Sequence, residues 1–154
     1  MLSEDTLQKI AALIRRYPQP RSALIPSLHL AQAEAGCLSP EIIREMAKLF
    51  QLSPNEVYEV ASFYTMLFKK PVGRYVIQLC TNISCLLCNC EAIMAHLQKR
   101  LGIKPGETTP DRKFTLLEVE CLASCGTAPV VQINEDYHEN LTAEKLDRIL
   151  DLLN

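Results

Sequence analysis

Two closely spaced pairs of cysteines constrain this 154-residue chain more than any other feature. Four residues separate Cys80 from Cys85, and three residues separate Cys121 from Cys125. Each pair follows a short run of β-forming residues, so each is predicted to lie in the loop after a strand. Because α/β folds generally place their chemistry at the carboxyl ends of strands, the four thiols are expected to meet at one end of a small sheet.

Four thiolates at one point are the ligand set of a metal centre. A 2Fe-2S cluster needs four protein sulfur ligands, two on each iron. The neighbouring Thr81, Ser84 and Ser124 are small, so backbone N–H groups are able to approach cluster sulfurs. Ordinary buried thiols fit poorly with such turns, whereas zinc bound by four cysteines tolerates these spacings. The sequence favours an iron-sulfur electron carrier and leaves zinc as the alternative.

Further cysteines leave the ligand set open at this point. Cys80, Cys85 and Cys88 spell C-x4-C-x2-C, which matches plant-type ferredoxins and would take its fourth ligand from Cys121. Cys85 and Cys88 also have the C-x-x-C spacing of a dithiol redox motif. The remaining cysteines, Cys37 and Cys90, are interpreted as structural thiols.

The first 70 residues are predicted to form a small helical bundle. Apolar residues recur at helical spacing in successive segments. Ser39 is expected to cap one helix, with proline at its first position. Ser53 and Glu56 have the spacing of a capping box, and Gly36 is expected to end the preceding helix, which is predicted over residues 22–34.

Residues 74–154 are predicted to form a thioredoxin-like α/β domain, after a boundary rich in Lys, Pro and Gly. The order of elements is β-α-β-β-(β)-α. The predicted fold class is therefore α/β, with an N-terminal helical bundle followed by a thioredoxin-like α/β domain that carries a 2Fe-2S cluster. Strands are expected at 74–79, 114–120 and 129–133, with a candidate return strand at 137–139, and helices at 91–101 and after Thr142.

Composition argues against several other classes of protein. A net charge of −2 and the lack of a basic run with interleaved aromatics argue against nucleic-acid binding. No apolar stretch approaches the roughly 20 residues of a membrane span, and the N-terminus lacks the basic and apolar regions of a signal peptide. Seven cysteines cannot all pair, so disulfides are not expected. We expect a soluble chain that does not insert directly into a membrane and has no nucleotide-binding fingerprint.

Several segments resemble one known family, and the resemblance covers almost the whole chain. The sequence is similar to the thioredoxin-like 2Fe-2S subunit of NADH:quinone oxidoreductase, the E-type subunit of complex I, also found in related hydrogenases and formate dehydrogenases. The segments that carry the likeness are ECLASC at 120–125, APVVQIN at 128–134 and CTNISC at 80–85, together with IPSLHLAQ at 25–32 and VYEVASFYT at 57–65.

The resemblance implies a particular ligand set and division of roles. The family's cluster ligands fall on Cys80, Cys85, Cys121 and Cys125, and not on Cys88. Residues 87–90, Leu-Cys-Asn-Cys, depart from the family, which more often has an Arg-Gly or similar small, polar sequence there. The helical region 1–70 is expected to dock a partner, and region 74–154 to hold the cluster.

The function implied by the resemblance is electron transfer within NADH:quinone oxidoreductase. The cluster would exchange single electrons with FMN on a partner flavoprotein, which would also bind NADH, so this chain alone has no complete active site. We expect a bacterial, cytoplasmic location, peripheral to the membrane through the complex. The alternatives are the equivalent subunit of an NAD-linked hydrogenase or formate dehydrogenase, a freestanding 2Fe-2S ferredoxin, and a zinc-stabilised interaction module.

Overall fold

The computed structural model describes residues 1–153, which fall into two units. The first unit is Met1–Pro71, and the second begins at Val72. Within the described residues there are seven α-helices and four β-strands, and each unit has its own hydrophobic core. The predicted α/β class is confirmed. The roles assigned to regions 1–70 and 74–154 stay predictions.

The first unit is helical, as the sequence predicted. Its second helix begins slightly later than expected, because the chain forms a 3-10 turn at Pro20–Ala23 first. Residues that bury apolar side chains in this unit include Leu28, Met46 and Val57. The helices are α1 (Glu4–Ile14), α2 (Leu24–Ala35), α3 (Pro40–Phe50) and α4 (Pro54–Phe63).

Side-chain caps set the helix ends in this unit. The Ser39 hydroxyl accepts the Ile42 N–H at 3.4 Å at the start of α3, and Gly36 ends α2 with a left-handed φ of 76°. The expectation that Leu49 faces inward is wrong. Leu49 is 41% exposed, and its neighbour Phe50 lies in the core instead.

The second unit is built on a four-stranded sheet of order β2-β1-β3-β4. Strand β1 runs parallel to β2 and antiparallel to β3, and β3 runs antiparallel to β4. The strand predicted at 129–133 is shorter than expected, because its ladder with β1 begins only at Val131. The strands are β1 (Tyr75–Cys80), β2 (Phe114–Val119), β3 (Val131–Ile133) and β4 (Asp136–His138).

Three helices complete this unit. Helix α6 (Cys90–Leu101) contributes Leu97 to the core, and α7 (Ala143–Leu152) contributes Leu146. The third, α5 (Ile83–Leu87), is a short helix that the sequence did not predict. Within the described residues, no helix has both the length and the apolar character to cross a membrane.

Candidate metal centre

The parallel pair of strands brings both cysteine segments to one edge of the sheet. Cys80 is the last residue of β1 and stands opposite Val119, the last residue of β2. The Thr81 N–H donates to the Val119 carbonyl at 3.1 Å, so the two chains stay joined beyond the last ladder pair. Cys121 follows Val119 by two residues, and its segment therefore leaves the sheet beside Cys80.

The first thiol pair is buried. Cys80 and Cys85 are 3% and 2% exposed. The sequence placed Cys85 in a loop, and this was wrong, because Cys85 lies within α5. The helix forms here because the Asn82 side chain accepts the N–H of Ile83 at 2.9 Å as an N-cap. An asparagine before an apolar run was the signal that would have revealed this helix.

The second thiol pair is exposed and close together. The sulfur atoms of Cys121 and Cys125 are 3.5 Å apart. Two thiolates on one tetrahedral ion, with metal–sulfur bonds of about 2.3 Å, stand about 3.8 Å apart. The Ala123 N–H donates to the Cys121 sulfur at 3.3 Å, and Ala123 has a left-handed φ of 60°. This pair is thus already near the spacing of two ligands on one metal ion.

Backbone N–H groups surround the buried sulfurs. Burial favours the neutral thiol of Cys80, but hydrogen bonds from the N–H groups of Leu122 and Asn82, and the Cys85 side chain, together lower the pKa of Cys80. The Leu122 N–H belongs to the other cysteine segment, so it links the two pairs. Such N–H···S bonds also tune iron-sulfur centres.

The other two perturbed ligand candidates favour their neutral thiols. Burial, with the neighbouring Cys80, raises the pKa of Cys85 to about 11, against a hydrogen bond from the Val130 N–H. The Ala123 N–H would lower the pKa of Cys121, but the side chain of Cys125, desolvation and the charge of Cys80 outweigh it and raise it. The Cys80 charge acts on both pairs because they occupy one edge of the sheet.

A side-chain bridge also joins the two segments. The Asn82 amide donates to the carboxylate of Glu120 at 3.2 Å. Asn82 therefore caps α5 with its oxygen and holds the residue before Cys121 with its nitrogen. Neither this bridge nor the contact of Leu122 with Cys80 was predicted from the sequence, because both arise only when the two strands are paired.

The remaining cysteines of the second unit lie beside this arrangement. Cys88 is exposed and caps the C-terminus of α5, whereas Cys90 begins α6 and is buried. Burial raises the pKa of the Cys90 thiol, consistent with its interpretation as a structural residue. Cys37, in the first unit, is half-buried. Within residues 1–153, no set of three or more His, Cys, Asp and Glu side chains is gathered closely enough to qualify as a metal site by geometry alone.

Comparison with known protein families settles the cofactor. The model of the thioredoxin-like [2Fe-2S] ferredoxin family matches residues 10–154. This chain belongs to that family. The thioredoxin-like ferredoxin fold predicted from the sequence is thereby confirmed, as is the 2Fe-2S cofactor.

Curated relatives of this ferredoxin-family chain carry a consistent name. It is 48% identical to the second of the E-type NADH-quinone oxidoreductase subunits of Rhizobium meliloti, over 94% of this chain and 86% of that protein. It is 47% identical to the E-type NADH-quinone oxidoreductase subunit of Rickettsia felis, over 90% of this chain and 85% of that protein. The resemblance to oxidoreductase subunits is confirmed.

A solved structure extends the comparison. An NAD+-reducing [NiFe]-hydrogenase, in its air-oxidized state, matches 84% of this ferredoxin-family chain with a TM-score of 0.75 and 27% identity. The H2-reduced state of such a hydrogenase matches with a TM-score of 0.73. The match spans 22% of the hydrogenase chain. The same fold thus occurs within a much longer redox protein.

The residues of this ferredoxin-family chain fit a 2Fe-2S cluster chemically. They supply four thiols in two pairs at one sheet edge, and N–H groups of both segments already donate to the sulfurs. Four sulfurs in two pairs match the two irons of the cluster. The family establishes the cluster, whereas the assignment of individual ligands is a proposal.

Proposed function

We propose that this chain is the E-type electron-transfer subunit of an NADH-quinone oxidoreductase, with Cys80, Cys85, Cys121 and Cys125 as ligands of its 2Fe-2S cluster. The observation that supports this best is the register of Cys80 with Val119, which brings both thiol pairs to one edge of the sheet. The N–H of Leu122, from the second segment, donates to the sulfur of Cys80 in the first.

The residues divide the work of holding the cluster. Cys80 and Cys85 are buried and would anchor it against the core, while Cys121 and Cys125 are exposed and lie on its outer side. When bound, a 2Fe-2S cluster accepts and releases one electron at a time. The backbone N–H groups of Leu122, Asn82, Val130 and Ala123 would offset negative charge on the sulfurs, which favours the reduced state.

A partner subunit supplies the rest of the reaction in this proposal. The partner is a flavoprotein that binds NADH and FMN, and the cluster exchanges single electrons with that FMN. The names of the curated relatives, which are subunits of NADH-quinone oxidoreductases, support this assignment. By the same comparison, the chain would lie in the bacterial cytoplasm, peripheral to the membrane through its complex.

Serine substitutions of single cysteines test the ligand set. Full-length variants with Ser at positions 80, 85, 121 and 125 are purified anaerobically, and the iron, acid-labile sulfide and reduced-state EPR spectrum are measured. We expect each variant to lose the cluster or to change its spectrum, because an alkoxide is a poor substitute for a thiolate on iron.

Cys88→Ser and Cys90→Ser are the matched controls, since both thiols lie near the four candidates. They are expected to retain the parent spectrum. A normal spectrum for Cys125→Ser, together with loss in Cys88→Ser, would establish the C-x4-C-x2-C ligation instead. Zinc without sulfide in the parent protein would end the electron-transfer proposal.

The equivalent subunit of an NAD-linked hydrogenase is the second candidate, because the hydrogenase structure matches most of this chain. Affinity purification of the tagged chain from its native cells separates the two. Recovery with quinone-reducing NADH dehydrogenase activity supports the leading candidate. Recovery with hydrogen-dependent NAD+ reduction would replace it.

We also propose that the helical region 1–70 docks the flavoprotein, while region 74–154 holds the cluster. Exposed apolar side chains on the helical unit support this, namely Tyr58, Phe63 and Met66, which are 53%, 79% and 48% exposed. Phe63→Ser with Tyr58→Ser should reduce recovery of the flavoprotein with the tagged chain at unchanged cluster content. Ser62→Ala is the control, and full recovery with the double variant would contradict docking there.

A further inference from the structure

The segment that carries the second thiol pair is fastened at its far end. The Asn140 N–H donates to the carbonyl of Thr127 at 2.6 Å. The Leu141 N–H donates to the carbonyl of Pro129 at 3.1 Å. Both donors belong to the connection between β4 and α7, which therefore supports the chain just after Cys125.

One side chain of that connection reaches the segment itself. The Ser124 hydroxyl donates to the carboxylate of Glu139. The Thr127 hydroxyl also forms a hydrogen bond with this carboxylate, and the two hydroxyl oxygens are 2.8 Å apart. Ser124 lies between Cys121 and Cys125, so the carboxylate holds the short stretch that sets the distance between those thiols.

Glu139 is itself held in place and is ionised. Hydrogen bonds from Ser124 and Thr127 hold the pKa of Glu139 below its ordinary value. The Lys145 ammonium donates to the Glu139 carbonyl at 2.5 Å, and the Lys145 N–H donates to the Thr142 hydroxyl at 3.2 Å. An anchored anion therefore faces the cysteine segment.

We propose that Glu139 is a positioning residue for Cys121 and Cys125. Its carboxylate fixes the Ser124 and Thr127 hydroxyls, and through them the spacing and orientation of the two thiols. The proposal rests on the ligand set given above, and it adds a residue that does not touch the metal. Outer residues of this kind orient ligands and alter metal affinity by roughly 10- to 100-fold when they are removed.

The carboxylate has a second, electrostatic effect on the same site. Addition of an electron to the cluster increases its negative charge, and a fixed anion beside the segment opposes that increase. Removal of the charge should therefore move the reduction potential to a more positive value. A residue that served only the stability of the fold would leave the potential unchanged.

Substitutions at Glu139 separate these effects in the full-length, cluster-loaded protein. In Glu139→Ala both hydroxyls lose their partner, whereas Glu139→Gln keeps an acceptor and removes the charge. We expect cluster loss to a chelator to be about 10-fold faster in Glu139→Ala. Glu139→Gln should lose its cluster more slowly than Glu139→Ala and should shift the potential to a more positive value.

Two further variants identify the route of the effect. Ser124→Ala should also accelerate cluster loss, and its combination with Glu139→Ala should add little, because the two residues act through one contact. Glu135→Gln is the control, since it removes the same charge from the exposed turn between β3 and β4. It is expected to behave as the parent protein.

The cluster-free protein gives an independent measurement. Hydrogen exchange of amides 121–127 should be faster in Glu139→Ala than in the parent protein, because the hydroxyl contacts are lost. Parent-like exchange, cluster lifetime and potential in Glu139→Ala, with cluster loss in Cys121→Ser and Cys125→Ser, would overturn the positioning role alone. Parent-like clusters in both cysteine variants would overturn the ligand set and this role with it.

Discussion

Cys80 and Val119 are register partners at the ends of two parallel strands. This single pairing determines where the chemistry of the protein lies, because Cys121 follows Val119 by two residues. Parallel strands end at the same edge, so a crossover connection can separate the two cysteine pairs in sequence and still return the second pair to the first. The pairing also places the Leu122 N–H at the sulfur of Cys80.

The bridge between Asn82 and Glu120 should stabilise the cysteine segments. Asn82→Ala removes the N-cap of α5 and the bridge together, and it is expected to lower the free energy of unfolding by about 1 kcal/mol. Asn82→Ser keeps a capping oxygen but cannot span to Glu120, so it should lose less. Urea denaturation of the cluster-free proteins measures both. Equal stability of Asn82→Ala and the parent would contradict a role for either contact.

Much of the scaffold was predictable because its signals are local. Ser39, the Ser53–Glu56 pair and Gly36 each satisfy helix termini within a few residues, and the structure confirms all three devices. The succession of strands and helices followed from alternating runs of β-forming residues and helical patterns. The cysteine pairs could be placed after strands for the same reason.

The parts that sequence reasoning missed depend on tertiary pairing or on short-range competition. Helix α5 is only one turn long, and too few residues carry its period for a pattern to reveal it. Glu139 gained its role only when the connection after β4 packed beside Ser124. Leu49 was misplaced because a helical pattern predicts a face, whereas the neighbouring helices decide which edge of that face is covered.

Gly73 is expected to be intolerant of any side chain. A Cβ atom at this position would lie 2.7 Å from the carbonyl carbon of Phe114, and the Gly73 N–H donates to the Thr115 hydroxyl at 2.6 Å. Gly73→Ala should therefore lower the free energy of unfolding by about 1–3 kcal/mol. Gly126→Ala is the control, because nothing lies within 4 Å of a Cβ there. Thermal unfolding of both variants provides the test, and equal transition temperatures would contradict the steric argument.

Ser27 should be replaceable with a gain in stability. Its hydroxyl is fully buried in the helical unit and has no hydrogen-bond partner among the described residues. Ser27→Ala removes this unsatisfied group and is expected to raise the free energy of unfolding by about 1 kcal/mol. Ser62→Ala controls for the helix propensity of alanine, since the Ser62 hydroxyl is exposed and donates to the Glu59 carbonyl at 3.0 Å. A larger gain at Ser62 would refute the burial argument.

The capping box of α4 predicts a dependence of stability on pH. Hydrogen bonds from the backbone and side chain of Ser53, together with Arg21, lower the pKa of Glu56 from its ordinary value of 4.5. A carboxyl whose pKa is lower in the folded state contributes stability above its unfolded pKa, and this contribution disappears as pH falls through the folded pKa.

Glu56→Gln isolates that contribution, because glutamine keeps the box geometry without the charge. The parent protein should be more stable than Glu56→Gln at pH 7, and the difference should shrink as the pH is lowered below about 4.5 towards 3. Urea denaturation at several pH values measures this difference, with Glu59→Gln on the same helix as the control for loss of an exposed charge. A difference that stays constant over this range would show that the ionised Glu56 is not what stabilises the start of α4.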